Sequence, residues 1–141
     1  MTADFVRERI DSADRPCYKN RMLVLLVEDN DDSRELYRHM LEKLGHKVLE
    51  ATNGKEALKV AIKQGPEIVI MDLSMPEVDG FQATSALRSI KTFSRTPILA
   101  ITAYPKSHWQ DKAEDAGCDA FLQKPFTHED LSAALDKLIA A

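Results

Sequence analysis

The chain has 141 residues, enough for one domain that buries roughly two-thirds of the surface its unfolded chain exposes. Its composition, 44% hydrophobic and 30% charged, is ordinary for a globular protein, and the net charge of −4 argues against nucleic acid as a direct partner. The sequence has no apolar run near the roughly 20 residues of a membrane span, and its N-terminus lacks a signal-peptide core. We therefore expect a cytoplasmic protein without membrane insertion.

The N-terminal part of the chain differs from the remainder. Residues 1–21 mix acidic and basic side chains with little periodicity, and we expect a flexible extension ahead of one domain at residues 22–141. That domain opens with an apolar run, Leu23–Val27, which is typical of a strand buried on both faces. The run ends in Glu28 and Asp29, and apolar residues at helical spacing follow.

The same unit, a strand followed by a helix, repeats along the chain. Asn53 and Thr127 are suited to cap helix starts, and Gly45, Gly65 and Gly117 are suited to end helices. The other predicted strands are residues 47–50, 68–71, 97–101 and 120–122. Because strand and helix alternate five times, the pattern predicts a parallel sheet covered by helices on both faces.

The composition of the strands predicts their order in the sheet. The first, third and fourth are uninterrupted apolar runs, as at the centre of a parallel sheet, whereas the second and fifth are shorter or more polar and suit its edges. This pattern predicts an α/β, doubly wound, flavodoxin-like (βα)5 fold with strand order 2-1-3-4-5.

Polar side chains follow the strands at the edge where open α/β sheets bind ligands. They are Glu28 and Asp29 after the first strand, Asp72 after the third, Thr102 after the fourth and Lys124 after the fifth. At an effective dielectric near ~20, two carboxylates ~4 Å apart repel by about 4 kcal/mol, and a hard cation such as Mg²⁺ relieves that repulsion. Lys124 and Thr102 are suited to contact a phosphoryl group, so Asp72 has the features of a nucleophile for phosphoryl transfer.

The motifs around these residues resemble those of response-regulator receiver domains (CheY-like) in two-component signalling. They are Val27-Glu28-Asp29, Met71-Asp72-Leu73-Ser74-Met75-Pro76, Thr102-Ala103 and Lys124-Pro125-Phe126. The resemblance extends from about Arg21 to the C-terminus. It implies that Asp72 accepts a phosphoryl group, in a Mg²⁺-dependent reaction, from a phosphohistidine of a sensor histidine kinase or histidine phosphotransfer protein.

The resemblance also implies roles for neighbouring residues. The Mg²⁺ ligands would be Glu28, through water, together with Asp29, Asp72 and the backbone carbonyl of Ser74. It further implies a cis peptide bond between Lys124 and the following proline.

In this family a switch couples two positions that correspond here to Thr102 and Phe121. Phosphorylation would draw Thr102 inward and let Phe121 turn in, which reshapes the surface formed by the fourth helix, fifth strand and fifth helix. A downstream protein or a second copy of the chain would bind there. Phe121 replaces the family's frequent tyrosine and lacks its hydroxyl.

Alternative functions remain at this point. We expect a stand-alone switch because no residues follow the last predicted helix for an output domain, but the chain could be a receiver excised from a larger regulator or hybrid kinase. A receiver-like scaffold that takes no phosphate is a further alternative. An enzyme acting on separate phosphate esters is not expected, because such phosphatases generally need an acid two residues after the nucleophile, where this chain has Ser74.

The histidines and cysteines of the chain lack metal-ligand spacing. We predict that all the histidines are surface residues and that Cys118 is a buried small hydrophobic residue. The histidines are His39, His46, His108 and His128.

Overall fold

The computed structural model describes residues 21–73, 80–105 and 110–140. Three sets of predictions fall outside these ranges: residues 1–20 of the N-terminal extension, the Ser74 carbonyl, and His108. None of the described helices is long and apolar enough to cross a membrane.

The described residues contain five strands, which form one parallel sheet in the order β2-β1-β3-β4-β5, as predicted. The strands are β1 (Leu23–Val27), β2 (Lys47–Ala51), β3 (Ile68–Asp72), β4 (Ile98–Thr102) and β5 (Ala120–Gln123). Every residue of β3 and β4 is buried, whereas the edge strands β2 and β5 contain half-buried and exposed residues. The contrast between apolar and mixed runs therefore identified the central and edge strands correctly.

A helix follows each strand within the described residues. The helices are α1 (Asp31–Lys43), α2 (Gly54–Gln64), α3 (Gly80–Ser89), α4 (Gln110–Ala116) and α5 (His128–Ala140), with a short 3-10 helix at Lys91–Phe93. The Asn53 side chain caps α2 by accepting from the Glu56 N–H at 2.8 Å. Thr127 and Asp130 form a reciprocal capping box at the start of α5, because each side chain accepts from the other's backbone N–H.

Two apolar layers pack on the two faces of the sheet. The α2–α4 cluster joins one face to α2, α3 and α4, and includes Leu25, Val69, Ala100 and Leu87. The α1–α5 cluster joins the opposite face to α1 and α5, and includes Leu26, Ile70, Tyr37 and Leu135. Because successive strand residues point to opposite faces, each central strand contributes to both layers.

The prediction that all the histidines are surface residues is wrong for His46. Its side chain is buried, and Nδ1 accepts a hydrogen bond from the Met22 N–H at 3.1 Å. Burial lowers the pKa of His46, and the nearby charge of Asp136 opposes that shift. His39 and His128 are exposed, as predicted. The His46 imidazole thus accepts a hydrogen bond from the backbone just before β1, a tertiary contact that the spacing of histidines in the sequence does not reveal.

Cys118 is half-buried rather than fully buried, and it packs against the α2–α4 cluster. Burial raises the pKa of its thiol to about 11, so the thiol is protonated at neutral pH. This agrees with a packing role.

Arg88, near the end of α3, joins the segments on either side of β4. Its guanidinium donates to the carbonyl oxygens of Phe93, Thr96 and Gly117 at 2.6–3.0 Å. It also pairs with Asp119 at 2.6 Å, whose carboxylate accepts from the Ile98 N–H that opens β4. The planar guanidinium thus links α3 to the N-terminal ends of β4 and β5 and to the residue after α4.

We predict that Arg88→Lys lowers the free energy of unfolding by about 1–3 kcal/mol, because an ammonium cannot reproduce these fixed, fork-shaped hydrogen bonds. Urea denaturation checks this. The matched control is Arg95→Lys at an exposed arginine, which should change stability by less than about 0.5 kcal/mol. Equal stability of the two variants would contradict the role given to Arg88.

Candidate functional site

The structure brings the acidic residues that follow β1 and β3 together. Carboxylate oxygens of Glu28, Asp29 and Asp72 all lie within 4.8 Å of one another. Glu28 and Asp72 are each 1% exposed, whereas Asp29 is exposed. The site is therefore a pair of buried carboxylates with a third carboxylate at its opening to solvent.

Lys124 neutralises part of this charge. Its Nζ lies 2.6 Å from Glu28 Oε1 and 3.5 Å from Asp72 Oδ2, and the side chain is 16% exposed. The Lys124 backbone N–H donates to the Thr102 carbonyl at 2.8 Å, which fixes the start of the loop after β5. The peptide bond between Lys124 and Pro125 is cis, as expected from the resemblance.

Thr102 ends β4 and is fully buried. Its Oγ1 accepts a hydrogen bond from the Tyr104 N–H at 3.1 Å. Phe121 lies in β5 opposite Ala100 of β4, and it packs, partly buried, against the α2–α4 cluster. Because alternate residues of a strand share a face, Thr102 and Phe121 lie on the same face of the sheet.

Burial dominates the electrostatics of the site. It raises the pKa of Glu28 to about 7; the hydrogen bond with Asp72 adds to this rise, and Lys124 opposes it. Burial alone would lower the pKa of Lys124, but its hydrogen bond to Glu28 and the charges of Asp72 and Glu28 outweigh burial and raise it. Lys124 is therefore a cation at neutral pH, and Glu28 is partly protonated there.

Arg34 positions the acidic loop, and the sequence analysis missed this role. Its guanidinium donates to the Glu28 carbonyl at 3.0 Å and pairs with Asp31 at 2.6 Å and Glu50 at 3.2 Å. The Asn30 N–H also donates to Glu28 Oε2 at 3.2 Å. The i,i+3 spacing of Asp31 and Arg34 was a visible signal, but the contact with Glu28 depends on the turn between β1 and α1.

Gly80 is a second residue beside the site that the sequence analysis did not identify. A Cβ at this residue would clash with the Asp72 carbonyl oxygen and lie 2.8 Å from Leu73 Cα. The first residue of α3 therefore packs directly on the backbone that carries Asp72. A glycine at the end of the segment after β3 was the available signal, and only the folded chain shows what it contacts.

The donor set fits a hard divalent cation. All the side-chain donors are carboxylate oxygens, the ligands that Mg²⁺ prefers, and two of them are buried close together. One ammonium does not balance three carboxylates, so a cation would reduce the remaining repulsion. Glu28, Asp29 and Asp72 are the described residues that would hold it.

Comparisons with known sequences find related proteins. The sequence profile described as the response regulator receiver domain matches residues 24–136. The polar-differentiation response regulator DivK of Brucella anthropi is 32% identical over 104 residues, which make up 74% of this chain and 85% of DivK.

Solved structures give the same assignment. The chemotaxis protein CheY4 of Vibrio cholerae superposes with a TM-score of 0.81 at 31% identity, over 84% of this chain and 98% of CheY4. The receiver domain of a sensor histidine kinase from Pseudomonas aeruginosa superposes with a TM-score of 0.80 at 31% identity, over 86% of this chain and 99% of that domain. That structure has a magnesium ion coordinated in its active site cleft.

The pKa of Glu28 predicts the pH dependence of Mg²⁺ binding. Below a pKa of about 7 the carboxyl holds a proton, which Mg²⁺ binding must release, so the affinity falls as the pH falls. We expect the Mg²⁺ dissociation constant to rise roughly tenfold from pH ~8 to pH ~6, measured by calorimetric titration.

Two variants control this measurement. Glu28→Gln should bind Mg²⁺ more weakly and lose the pH dependence in this range, whereas Glu35→Gln at an exposed residue of α1 should retain it. An affinity that is constant between the two pH values in the unmodified chain would contradict the assignment of Glu28.

Proposed function

The chain belongs to the response regulator receiver domain family of two-component signalling, and on that premise we propose that it is a phosphoacceptor switch in which Asp72 takes the phosphoryl group. The observation that carries the proposal is the position of the Lys124 ammonium, in contact with both Glu28 and Asp72 at the carboxyl edge of the sheet. The donor would be a phosphohistidine on a sensor histidine kinase or a histidine phosphotransfer protein.

The reaction that we propose is a single phosphoryl transfer. A carboxylate oxygen of Asp72 attacks phosphorus, the bond from phosphorus to the histidine nitrogen breaks, and that nitrogen keeps the electron pair and takes up a proton from solvent. Glu28, through water, together with Asp29, Asp72 and the Ser74 carbonyl would hold Mg²⁺, and the ion would supply positive charge that neutralises the phosphoryl oxygens.

Lys124 supplies the fixed positive charge of this reaction. Its ammonium lies 3.5 Å from Asp72 Oδ2, so it needs only a small movement away from Glu28 to contact oxygens of a phosphoryl group on Asp72. Because the side chain is mostly buried, this charge is screened less by water than an exposed lysine would be.

We propose that Thr102 and Phe121 transmit the modification. The Thr102 hydroxyl accepts from the Tyr104 N–H and retains its own hydrogen to donate to a phosphoryl oxygen. Movement of Thr102 toward Asp72 would open space on the face of the sheet that Phe121 shares. Coupling of this kind is typically worth about 1–3 kcal/mol, which biases an equilibrium rather than locking it.

The output of this switch would be protein contact through α4, β5 and α5, with a downstream protein or a second copy of the chain. We propose that catalysis is limited to the chain's own phosphorylation and dephosphorylation. Ser74, two residues after Asp72, is not the acid that a phosphatase acting on separate esters generally uses.

We predict that incubation with acetyl phosphate and Mg²⁺ adds one phosphoryl mass to the unmodified chain and none to Asp72→Asn, because the amide is not a nucleophile for phosphorus. Intact mass spectrometry of acid-quenched samples measures the adduct. Asp111→Asn, at an exposed carboxylate of α4, is the matched control and should be phosphorylated normally.

The result that would contradict the proposal is equal phosphorylation of Asp72→Asn and the unmodified chain. Absence of any adduct on the unmodified chain, with no beryllofluoride binding that depends on Mg²⁺, would favour the scaffold alternative.

A further inference from the structure

An aromatic ring adjoins the Lys124 ammonium in addition to the two carboxylates. Nζ lies 5.7 Å from the centroid of the Tyr37 ring, in the distance range of a cation–π contact. Tyr37 projects from α1 and is 7% exposed. Since Glu28 and Asp72 also contact Nζ, the described surroundings of this ammonium include two carboxyl groups and one uncharged π-face.

The orientation of this ring is fixed by contacts on several sides. Tyr37 stacks on Phe126, with centroids 4.8 Å apart and ring planes at 22°. It also belongs to the α1–α5 cluster. Phe126 follows Lys124 by two residues, so Tyr37 contacts the loop after β5 through both the lysine and the phenylalanine.

The chemistry of a ring differs from that of a carboxylate in this position. A ring attracts the ammonium toward its face, and more strongly where water is excluded, as it is around this mostly buried lysine. It carries no net charge, so it does not compete with an incoming phosphoryl group as Glu28 does. A ring can therefore confine Lys124 to the cleft while the ammonium moves from Glu28 to the phosphoryl oxygens.

We propose that Tyr37 is a positioning residue for phosphoryl transfer, which acts by holding the Lys124 ammonium in the cleft beside Asp72. This inference rests on the proposed function of Asp72 and adds a residue outside the motifs that carry the family resemblance. Tyr37 acts through Lys124 and is assigned no contact with the phosphoryl group.

The test is the rate constant for phosphorylation by acetyl phosphate with Mg²⁺, measured by intact mass alongside the free energy of unfolding of each variant. Tyr37→Leu removes the ring and should slow phosphorylation roughly three- to tenfold. Tyr37→Phe keeps the ring and should stay within about twofold of the unmodified chain. Met40→Ala, at a partly buried residue of the same helix and cluster, is the control for lost packing and should also stay within about twofold.

A double-mutant cycle separates positioning from general packing. If Tyr37 acts through Lys124, then Tyr37→Leu should have no further effect on the rate in the Lys124→Ala background. Tyr37→Met, a second non-aromatic replacement, keeps the test valid if Tyr37→Leu is unfolded at the assay temperature.

The outcomes distinguish this inference from the proposed function. Normal phosphorylation of Tyr37→Leu, an equal loss in Tyr37→Phe, or an equal loss in the Lys124→Ala background overturns the positioning role and leaves Asp72 as the acceptor. An unmodified chain that takes no phosphoryl group overturns the proposed function and this inference together.

Discussion

Two almost fully buried carboxylates, Glu28 and Asp72, share the Lys124 ammonium at the carboxyl edge of the sheet. Removing carboxylates from water is costly unless a cation compensates, and one ammonium compensates only part of the charge of Glu28, Asp29 and Asp72. The site therefore keeps a net negative charge, which a divalent cation would balance. This imbalance is the physical basis of the switch that we propose.

The fold supplies the precision that this arrangement requires. Glu28 and Asp72 are held at the ends of paired central strands, where residues such as Val27 and Met71 are in register. Lys124 is tied to β4 by its hydrogen bond to the Thr102 carbonyl. Gly80, the first residue of α3, packs directly on the Asp72 backbone. The acidic and basic groups of the described residues are thus positioned by the ends of the strands.

Much of the fold and the site could be predicted because they depend on local pattern. Apolar runs, helix periodicity and capping residues such as Asn53 identified the elements, and the topology then placed Asp72 and Lys124 together. Contacts between distant residues were not predictable in this way. The buried His46 contacts Met22, and the role that we propose for Tyr37 depends on its contact with Phe126 in the loop after β5. Such contacts arise from packing, which composition and spacing do not specify.

The most direct test of the central claim is chemical trapping of the phosphorylated side chain. The chain would be phosphorylated with acetyl phosphate and Mg²⁺, reduced with borohydride, which converts an aspartyl phosphate to homoserine, and sequenced by tandem mass spectrometry. The proposed chemistry predicts homoserine at Asp72, at a yield that depends on Mg²⁺. Reduction of Asp29 or of another carboxyl group to its alcohol, with Asp72 unmodified, would contradict it.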